Sequence, residues 1–256
     1  MVLTFDIGNS NIIFAGVEDG HAVFSCSLST STPRTADEYA VLLQLMASQR
    51  NIDLHAAEGA IIASVVPQQT NLLRQALQFV SGKTALVVGP GVKTGLNIRI
   101  DDPSELGGDF VAAAAAALER YPLPCVTIDM GMATAMGVLD RNGNYIGGAI
   151  APGLILSQNA LLRNASKLPS VAPEAPARVI CKTTEDSVRS GVVFGAAALL
   201  DGLIERMENE LGESVTAVAT GDLANYVLPY CRRKGIINDP ELITRGLWLI
   251  YKRNVK

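Results

Sequence analysis

The first 120 residues alternate short apolar runs with stretches in which apolar residues recur at helical spacing. Apolar runs bounded by turn-forming residues are typical of strands, and a spacing of three and four residues is typical of helices. Thr35 and Glu38 form a capping-box pattern that starts a helix at residue 36. The pattern predicts, in order, strands at 2–7, 11–17 and 22–28, a helix at 36–49, a strand at 60–66, a helix at 68–80 and a strand at 85–88.

The second half of the chain repeats this order of elements. It begins near residues 119–124, where Glu-Arg-Tyr-Pro-Leu-Pro interrupts both the helical and the strand pattern. Three strands, a helix, a strand and a helix, present twice, indicate an α/β chain with two lobes, residues 1–120 and residues 121–256. The elements predicted in the second lobe are strands at 125–129, 133–139 and 144–149, a helix at 153–164, further helices within 185–211, a strand at 216–220 and two C-terminal helices.

Each predicted lobe opens with the same polar signal between its first two strands. Asp6 and Gly8 follow the first apolar run, and Asp129 and Gly131 follow the corresponding run of the second half. An Asp at the end of a buried strand can hold a cation, and a Gly lets backbone N–H groups approach a phosphate. The repetition predicts two phosphate-binding hairpins. A simpler alternative is that both aspartates only end their strands in Asx-turns.

The composition is that of a globular α/β protein, with 48% hydrophobic and 18% charged residues. A net charge of −4 provides no attraction to nucleic acid, and no such partner is expected. Four scattered cysteines and two histidines form no zinc pattern, and scattered thiols fit a reducing cytoplasm. The N-terminus lacks a signal-peptide pattern, and the apolar runs 111–118 and 192–200 are too short to cross a bilayer. These features predict a cytoplasmic protein with no membrane partner.

Further motifs are spread over nearly the whole chain, and their ordered set resembles the type III pantothenate kinase family. The resemblance implies an actin-like ATPase fold, in which two ribonuclease H-like lobes enclose a nucleotide in the cleft between them. It also implies phosphorylation of pantothenate by ATP, the first step of coenzyme A synthesis. The motifs are Asp6-Ile-Gly-Asn-Ser-Asn11, Ser64-Val-Val-Pro67, Thr94-Gly-Leu-Asn-Ile98, Asp101-Asp-Pro-Ser-Glu-Leu-Gly-Gly-Asp109, Asp129-Met-Gly-Met-Ala-Thr134, Gly147-Gly-Ala-Ile-Ala-Pro-Gly153, Lys167-Leu-Pro169, Ser190-Gly191, Thr220-Gly221 and Arg253-Asn254.

The resemblance also implies a role for each motif position. Asp109 matches the catalytic residue that orients and deprotonates the attacking hydroxyl, Asp6 the residue that holds Mg²⁺, and Asp129 a site for K⁺ or NH₄⁺. Thr184 matches a threonine that contacts pantothenate from the neighbouring subunit of a homodimer. The positions implied to bind ATP are Asp6, Gly8, Asn9, Asn11, Gly131, Met132, Ala133, Thr134, Thr220 and Gly221. Those implied to bind the acceptor are Ile100, Gly107, Gly108, Phe110, Gly148 and Thr184.

Besides Asp6 and Asp129, two further positions have simpler explanations when the residues are taken alone. Asp109 can be a residue of a helix N-terminus that interacts with the helix dipole. Thr184 can be the cap of the helix that carries Glu185 and Asp186.

Four positions depart from the family pattern. Phe110 replaces an arginine that binds substrate, and Ile100 replaces a tyrosine. Met132 replaces the Thr or Ser of the second hairpin, and Asp222 replaces the second Gly of a Thr-Gly-Gly sequence. Three hypotheses follow: a working pantothenate kinase, a family member that binds or regulates without catalysis, or a kinase with another small hydroxyl substrate.

Overall fold

The computed structural model describes residues 1–165 and 167–255, which form two compact units. The first unit is Met1–Arg120 together with the C-terminal segment from Glu241, and the second is Tyr121–Pro240. The strands are β1 (Val2–Ile7), β2 (Asn11–Glu18), β3 (His21–Ser29), β4 (Gly59–Ser64), β5 (Ala85–Val87), β6 (Asn97–Ile98), β7 (Cys125–Met130), β8 (Ala133–Leu139), β9 (Asn144–Pro152), β10 (Thr216–Thr220) and β11 (Ile237–Asn238). The α-helices are α1 (Ala36–Ser48), α2 (Pro67–Ser81), α3 (Gly108–Arg120), α4 (Leu154–Asn164), α5 (Thr184–Leu211), α6 (Ala224–Val227) and α7 (Leu242–Asn254).

The first unit is built on a sheet with the strand order β3-β2-β1-β4-β5. Strands β1, β2 and β3 pair antiparallel, whereas β4 runs parallel to β1 and β5 parallel to β4. Helix α1 begins with the predicted capping box, because Thr35 and Glu38 each accept a hydrogen bond from the other's backbone N–H. The rings of Phe5 and Phe14 stack at 4.6 Å between centroids within the buried cluster on one face of the sheet.

The second unit repeats this arrangement. Its strands follow the order β11-β10-β7-β8-β9, with β7, β8 and β9 antiparallel and β10 parallel to β7. The predicted repeat of three strands followed by a further strand is present in both units, and in each the three strands are antiparallel and the further strand is parallel to the first. The structure differs from the sequence prediction at 185–211, where one continuous helix, α5, replaces several helices.

Helix α7 belongs to the first unit, although the sequence pattern placed residues 121–256 together. Helix α7 packs closely on α3, because Gly246 allows the α7 backbone to approach the α3 backbone at Ala112. A Cβ atom at Gly246 would lie 1.8 Å from the carbonyl oxygen of Ala112. An amphipathic pattern shows that a helix packs on something but does not show which lobe it packs on.

The apolar run 192–200 lies within the longer helix α5. Among the described residues it is the one helix long and apolar enough to span a membrane by length and composition, and a third of its most apolar window is buried. The structure continues the run 192–200 in both directions into a 28-residue helix.

Candidate functional site

The first predicted phosphate hairpin is the turn between β1 and β2. Asp6 is half-buried near the end of β1 and pairs with Ile13 on β2. The N–H of Gly8 donates to the carbonyl of Asn11 at 2.9 Å, and the hydroxyl of Thr30 donates to the carbonyl of Gly8 at 2.8 Å. The turn therefore uses the Gly8 N–H itself. The exposed residues at the tip are Asn9, Ser10 and Asn11.

The second hairpin joins β7 and β8 by a loop that is one residue shorter. Ile7 pairs with Ile12 across the first loop, whereas Met130 pairs with Thr134 across the second. The N–H of Gly131 donates to the carbonyl of Ala133 at 3.0 Å, so this glycine N–H is also used by the turn. Thr134 is 5% exposed, so the structure places it in the sheet and not at the loop tip.

Met132 is the exposed residue at the tip of the second hairpin, with 41% of its surface accessible. Its carbonyl accepts a hydrogen bond at 3.0 Å from the N–H of Gly153, the N-cap residue of α4. A Cβ atom on Gly153 would lie 2.4 Å from the Met132 carbonyl oxygen and 2.5 Å from that of Gly131. The start of α4 thus fixes the hairpin backbone, a contact that no spacing in the sequence reveals.

Asp129 and the loop after β10 lie together in the second unit. Thr220 is the parallel neighbour of Asp129, and Gly221 follows with φ of +95°. A Cβ atom on Gly221 would be 2.8 Å from Asp129 Oδ1 and 2.7 Å from the carbonyl oxygen of Met130. Because Gly221 has no side chain, a carboxylate oxygen and a carbonyl oxygen can approach its backbone closely, and a Cβ atom there would clash with both.

Asp109 lies in the first turn of α3 in the first unit. Its Oδ1 atom is buried and has no hydrogen-bond partner among the described residues. Burial raises the pKa of Asp109, and hydrogen bonds from the N–H groups of Phe110 and of Asp109 itself oppose the rise. The helix-terminus explanation is therefore correct about position, but a favourable N-terminal charge alone would lower this pKa. A buried carboxylate with raised pKa is a candidate general base.

The two glycines before Asp109 serve different contacts. A Cβ atom on Gly107 would lie 2.3 Å from Asp109 Oδ1, so the carboxylate occupies the space beside Gly107. A Cβ atom on Gly108 would lie 3.2 Å from the Cβ of Ala63 on β4, and Gly108 is buried. Gly108 therefore allows α3 to pack closely on the sheet.

We expect Gly107→Ala to lower turnover by about tenfold, because the new methyl group displaces the Asp109 carboxylate while the chain remains folded. Steady-state kinetics measure this loss, and circular dichroism checks the fold. The matched control is Gly89→Ala, since a Cβ atom at Gly89 meets no atom within 4 Å. Equal activity of Gly107→Ala and wild type would contradict the catalytic position of Asp109.

The remaining acceptor positions are distributed over both units. In the first, Phe110 is half-buried beside Asp109, and Ile100 is half-buried in the segment that leads to α3. In the second, Gly148 is held by packing, because its Cβ atom would lie 1.8 Å from the Met136 carbonyl oxygen on the neighbouring strand. Gly148 is thus needed for the sheet itself.

Thr184 is the exposed first residue of α5 and lies at the rim of an apolar cavity of about 500 Å³ between α4 and α5. The alternative that Thr184 caps α5 is wrong. Thr183 is the N-cap, and its hydroxyl accepts a hydrogen bond from the Asp186 N–H at 3.1 Å. Thr184 is therefore not required to start the helix.

Comparison with known proteins defines the class of protein first. The structure resembles an activator of 2-hydroxyisocaproyl-CoA dehydratase from Clostridium difficile, solved with bound ADPNP, with a TM-score of 0.61 and 13% identity over 100% of this chain and 98% of that one. It also resembles MreB5 of Spiroplasma citri with a TM-score of 0.54 and 9% identity over 98% of this chain and 96% of that one. These likenesses confirm the predicted α/β actin-like ATPase fold.

The family follows from sequence. The family model of type III pantothenate kinases matches residues 2–206. A type III pantothenate kinase from Syntrophus aciditrophicus is 39% identical over 99% of this chain and 100% of its own length. The chain belongs to the type III pantothenate kinase family.

Proposed function

We propose that this chain transfers the γ-phosphate of ATP to the primary hydroxyl of pantothenate, the first step of coenzyme A synthesis. Membership of the family supports the reaction and the acceptor. The observation that carries the mechanism is the half-buried Asp109 carboxylate, whose buried Oδ1 has no partner among the described residues and whose pKa is raised. Such a group can accept a proton from an alcohol that enters its vicinity.

In the proposed step the pantothenate hydroxyl oxygen attacks the γ-phosphorus in line with the leaving oxygen. A new P–O bond forms, the bond between the γ-phosphorus and the β–γ bridging oxygen breaks, and ADP leaves. Asp109 takes the hydroxyl proton. Phosphoryl transfer depends mainly on positioning and charge neutralisation, so a base and a phosphate cradle are the main protein contributions.

Asp6 alone can serve as the protein ligand of a hydrated Mg²⁺ ion bound with nucleotide. The described residues contain no group of three Asp, Glu, His or Cys side chains that could hold a metal ion. Mg²⁺ bound with nucleotide needs only one or two carboxylates, because waters and phosphate oxygens complete its shell. A bound Mg²⁺ would neutralise phosphate charge. Asp6, half-buried at the end of β1, would hold it, and the tip residues Asn9 and Asn11 would contact phosphate oxygens.

Two oxygen atoms that lie beside Gly221 support a monovalent cation site at Asp129. The Asp129 carboxylate and the Met130 carbonyl converge there, and oxygen ligands of this kind suit K⁺ or NH₄⁺. A cation at this point would offset phosphate charge. On this proposal activity requires K⁺ or NH₄⁺, and Gly221→Ala disrupts the cation site, because its Cβ atom would clash with both oxygens and displace them.

The proposal includes a homodimer in the cytoplasm. Most of the apolar window of α5 is not buried within its own chain, and burial against a second copy would remove that surface from water. Thr184 stands at the exposed start of this helix and would face the acceptor of the neighbouring subunit. This arrangement also accounts for a long apolar helix without a membrane.

The proposal is tested by measuring ADP release from purified protein with ATP and Mg²⁺. Pantothenate, and then other small alcohols, are added in turn, each with K⁺ and with a K⁺-free buffer. Potassium-dependent ADP release with pantothenate supports the proposal. Release with another alcohol but not with pantothenate would favour a different acceptor, which the apolar side chains of Ile100 and Phe110 would then explain. Nucleotide binding without turnover would favour a non-catalytic role.

Met132→Thr should raise turnover by about one to two orders of magnitude, because a hydroxyl at the hairpin tip can donate to a charged phosphate oxygen. The quantity compared between the variants and wild type is kcat, measured with saturating ATP and acceptor. Met132→Leu serves as control, since it changes the side chain without adding a donor. A rate for Met132→Thr equal to that of Met132→Leu would show that this position does not face phosphate.

A further inference from the structure

We propose that Arg253 and Asn254, the last two residues of α7, are positioning residues for the acceptor side of the site. The inference rests on the proposed function, because it takes Ile100 to lie on the acceptor side. It gives a role to the Arg253-Asn254 and Thr94-Gly-Leu motifs, which the proposed chemistry does not use.

Asn254 is bound to both backbone groups of a single distant residue. The Lys93 N–H donates to Asn254 Oδ1 at 3.0 Å, and Asn254 Nδ2 donates to the Lys93 carbonyl at 2.9 Å. The side-chain amide thus pairs with Lys93 as the backbone of a neighbouring strand would. Nδ2 also donates to the carbonyl of Ile250 at 2.8 Å, which orients the amide on its own helix.

Arg253 holds the next residues of the same loop. Its Nη1 donates to the Thr94 carbonyl at 3.0 Å, and its Nη2 donates to Glu119 at the end of α3 at 3.2 Å. Gly95 has φ of +80°, and a Cβ atom there would lie 1.1 Å from Arg253 Nη1. The guanidinium therefore occupies the space that any side chain at position 95 would need.

This loop begins the segment that carries the acceptor positions. The Leu96 N–H donates to the Thr94 hydroxyl at 3.2 Å, and the chain continues through Ile100 to Asp102. Asp102 caps a short 3-10 helix, Pro103–Glu105, which is followed by Gly107 and Asp109. One end of the segment is thus bound to the end of α7.

Helix α7 also holds the other end of the segment. Gly246 lets α7 pack directly on the backbone of α3 at Ala112, one turn after Asp109. The same helix therefore fixes the base and the loop that leads to Ile100. Loosening the loop at residues 93–96 should displace the acceptor surface relative to Asp109. The two nucleotide hairpins, between β1 and β2 and between β7 and β8, should keep their geometry.

The test compares steady-state kinetics of Asn254→Ala and Arg253→Ala with those of wild type. We expect the KM for pantothenate to rise about tenfold in each variant, as the loss of one or two hydrogen bonds allows, with the KM for ATP unchanged. Arg253→Lys should recover part of the loss, since its ammonium group can still donate to the Thr94 carbonyl. Lys252→Ala is the matched control, because Lys252 pairs with Glu58 and lies on the same turn of α7.

The inference would be overturned if neither the KM for pantothenate nor the KM for ATP changed. It would also be overturned if both KM values rose in parallel and thermal stability fell. Hydrogen exchange separates this failure from failure of the proposed function. Faster amide exchange at residues 93–102 in Asn254→Ala and Arg253→Ala, but not in Lys252→Ala, supports the positioning role even if wild type does not phosphorylate pantothenate. Exchange equal to that of wild type refutes the positioning role whether or not the enzyme is active.

Discussion

Asp109→Asn is expected to lower kcat by about 10²- to 10⁴-fold, the range that removal of a general base produces, while leaving the fold intact. Asparagine has nearly the same shape and fits beside Gly107, but it cannot accept the hydroxyl proton. A rate close to that of wild type would show that Asp109 is not the base.

The same substitution has a predicted effect on stability that a purely structural aspartate would not show. Burial raises the pKa of Asp109 in the folded chain, so its contribution to stability is fully present below the pKa of an unfolded aspartate and is lost as pH rises through the raised folded value. At pH 8 the buried charge therefore costs stability, and Asp109→Asn should unfold at the same or a higher temperature than wild type.

Thermal unfolding at pH 8 and at pH 5, with kcat measured on the same samples, tests both the predicted loss of activity and the predicted effect on stability. The advantage of the Asn variant should shrink at the lower pH. The raised pKa also predicts that kcat/KM of wild type falls with decreasing pH at a higher pH than for an ordinary aspartate. A variant that loses stability at pH 8 would indicate that the carboxylate supports the fold, contrary to the role of Asp109 as a buried base.

Gly246→Ala is expected to destabilise the first unit by about 3 kcal/mol, at the upper end of the usual cost of overpacking. The added methyl group would lie 1.8 Å from the Ala112 carbonyl oxygen and 2.5 Å from its carbon, and these backbone atoms can move only if α3 and α7 separate. Activity should fall as well, since α3 carries Asp109.

Chemical denaturation of Gly246→Ala and of Gly202→Ala measures this effect against a matched control. Gly202 lies inside α5, and a Cβ atom there meets nothing within 4 Å. Alanine at 202 should stabilise the helix by up to about 1 kcal/mol through its helix propensity. Equal stabilities of the two variants would mean that the close approach of α3 and α7 is not what holds α7 on the first unit.

The strands and the hairpins could be predicted because their signals are local. The apolar run before Asp6 and the matching run before Asp129 fix a strand, a turn and a returning strand without reference to the rest of the chain. The capping box at Thr35 is equally local. The place of α7 could not be predicted, because its partner Ala112 is distant in sequence and its pattern fits either lobe.

The candidate site also has features that the sequence predicts and features that depend on long-range packing. The resemblance to a family implied a catalytic role for Asp109, but its burial and raised pKa depend on packing that one sequence does not show. Gly107 and Gly108 are the same residue type, yet Gly107 makes room for the Asp109 carboxylate and Gly108 makes room for Ala63. The contact of Gly153 with the second hairpin joins residues that only the fold brings together.

The most direct test of the proposed reaction is a ³¹P NMR spectrum of the products from ATP, Mg²⁺, K⁺ and pantothenate with the wild-type protein, followed by the mass of the new species. We predict a phosphomonoester on the primary hydroxyl of pantothenate, formed together with ADP and absent with Asp109→Asn. Folded wild-type protein that yields only ATP, or inorganic phosphate without the ester, would contradict the proposed reaction.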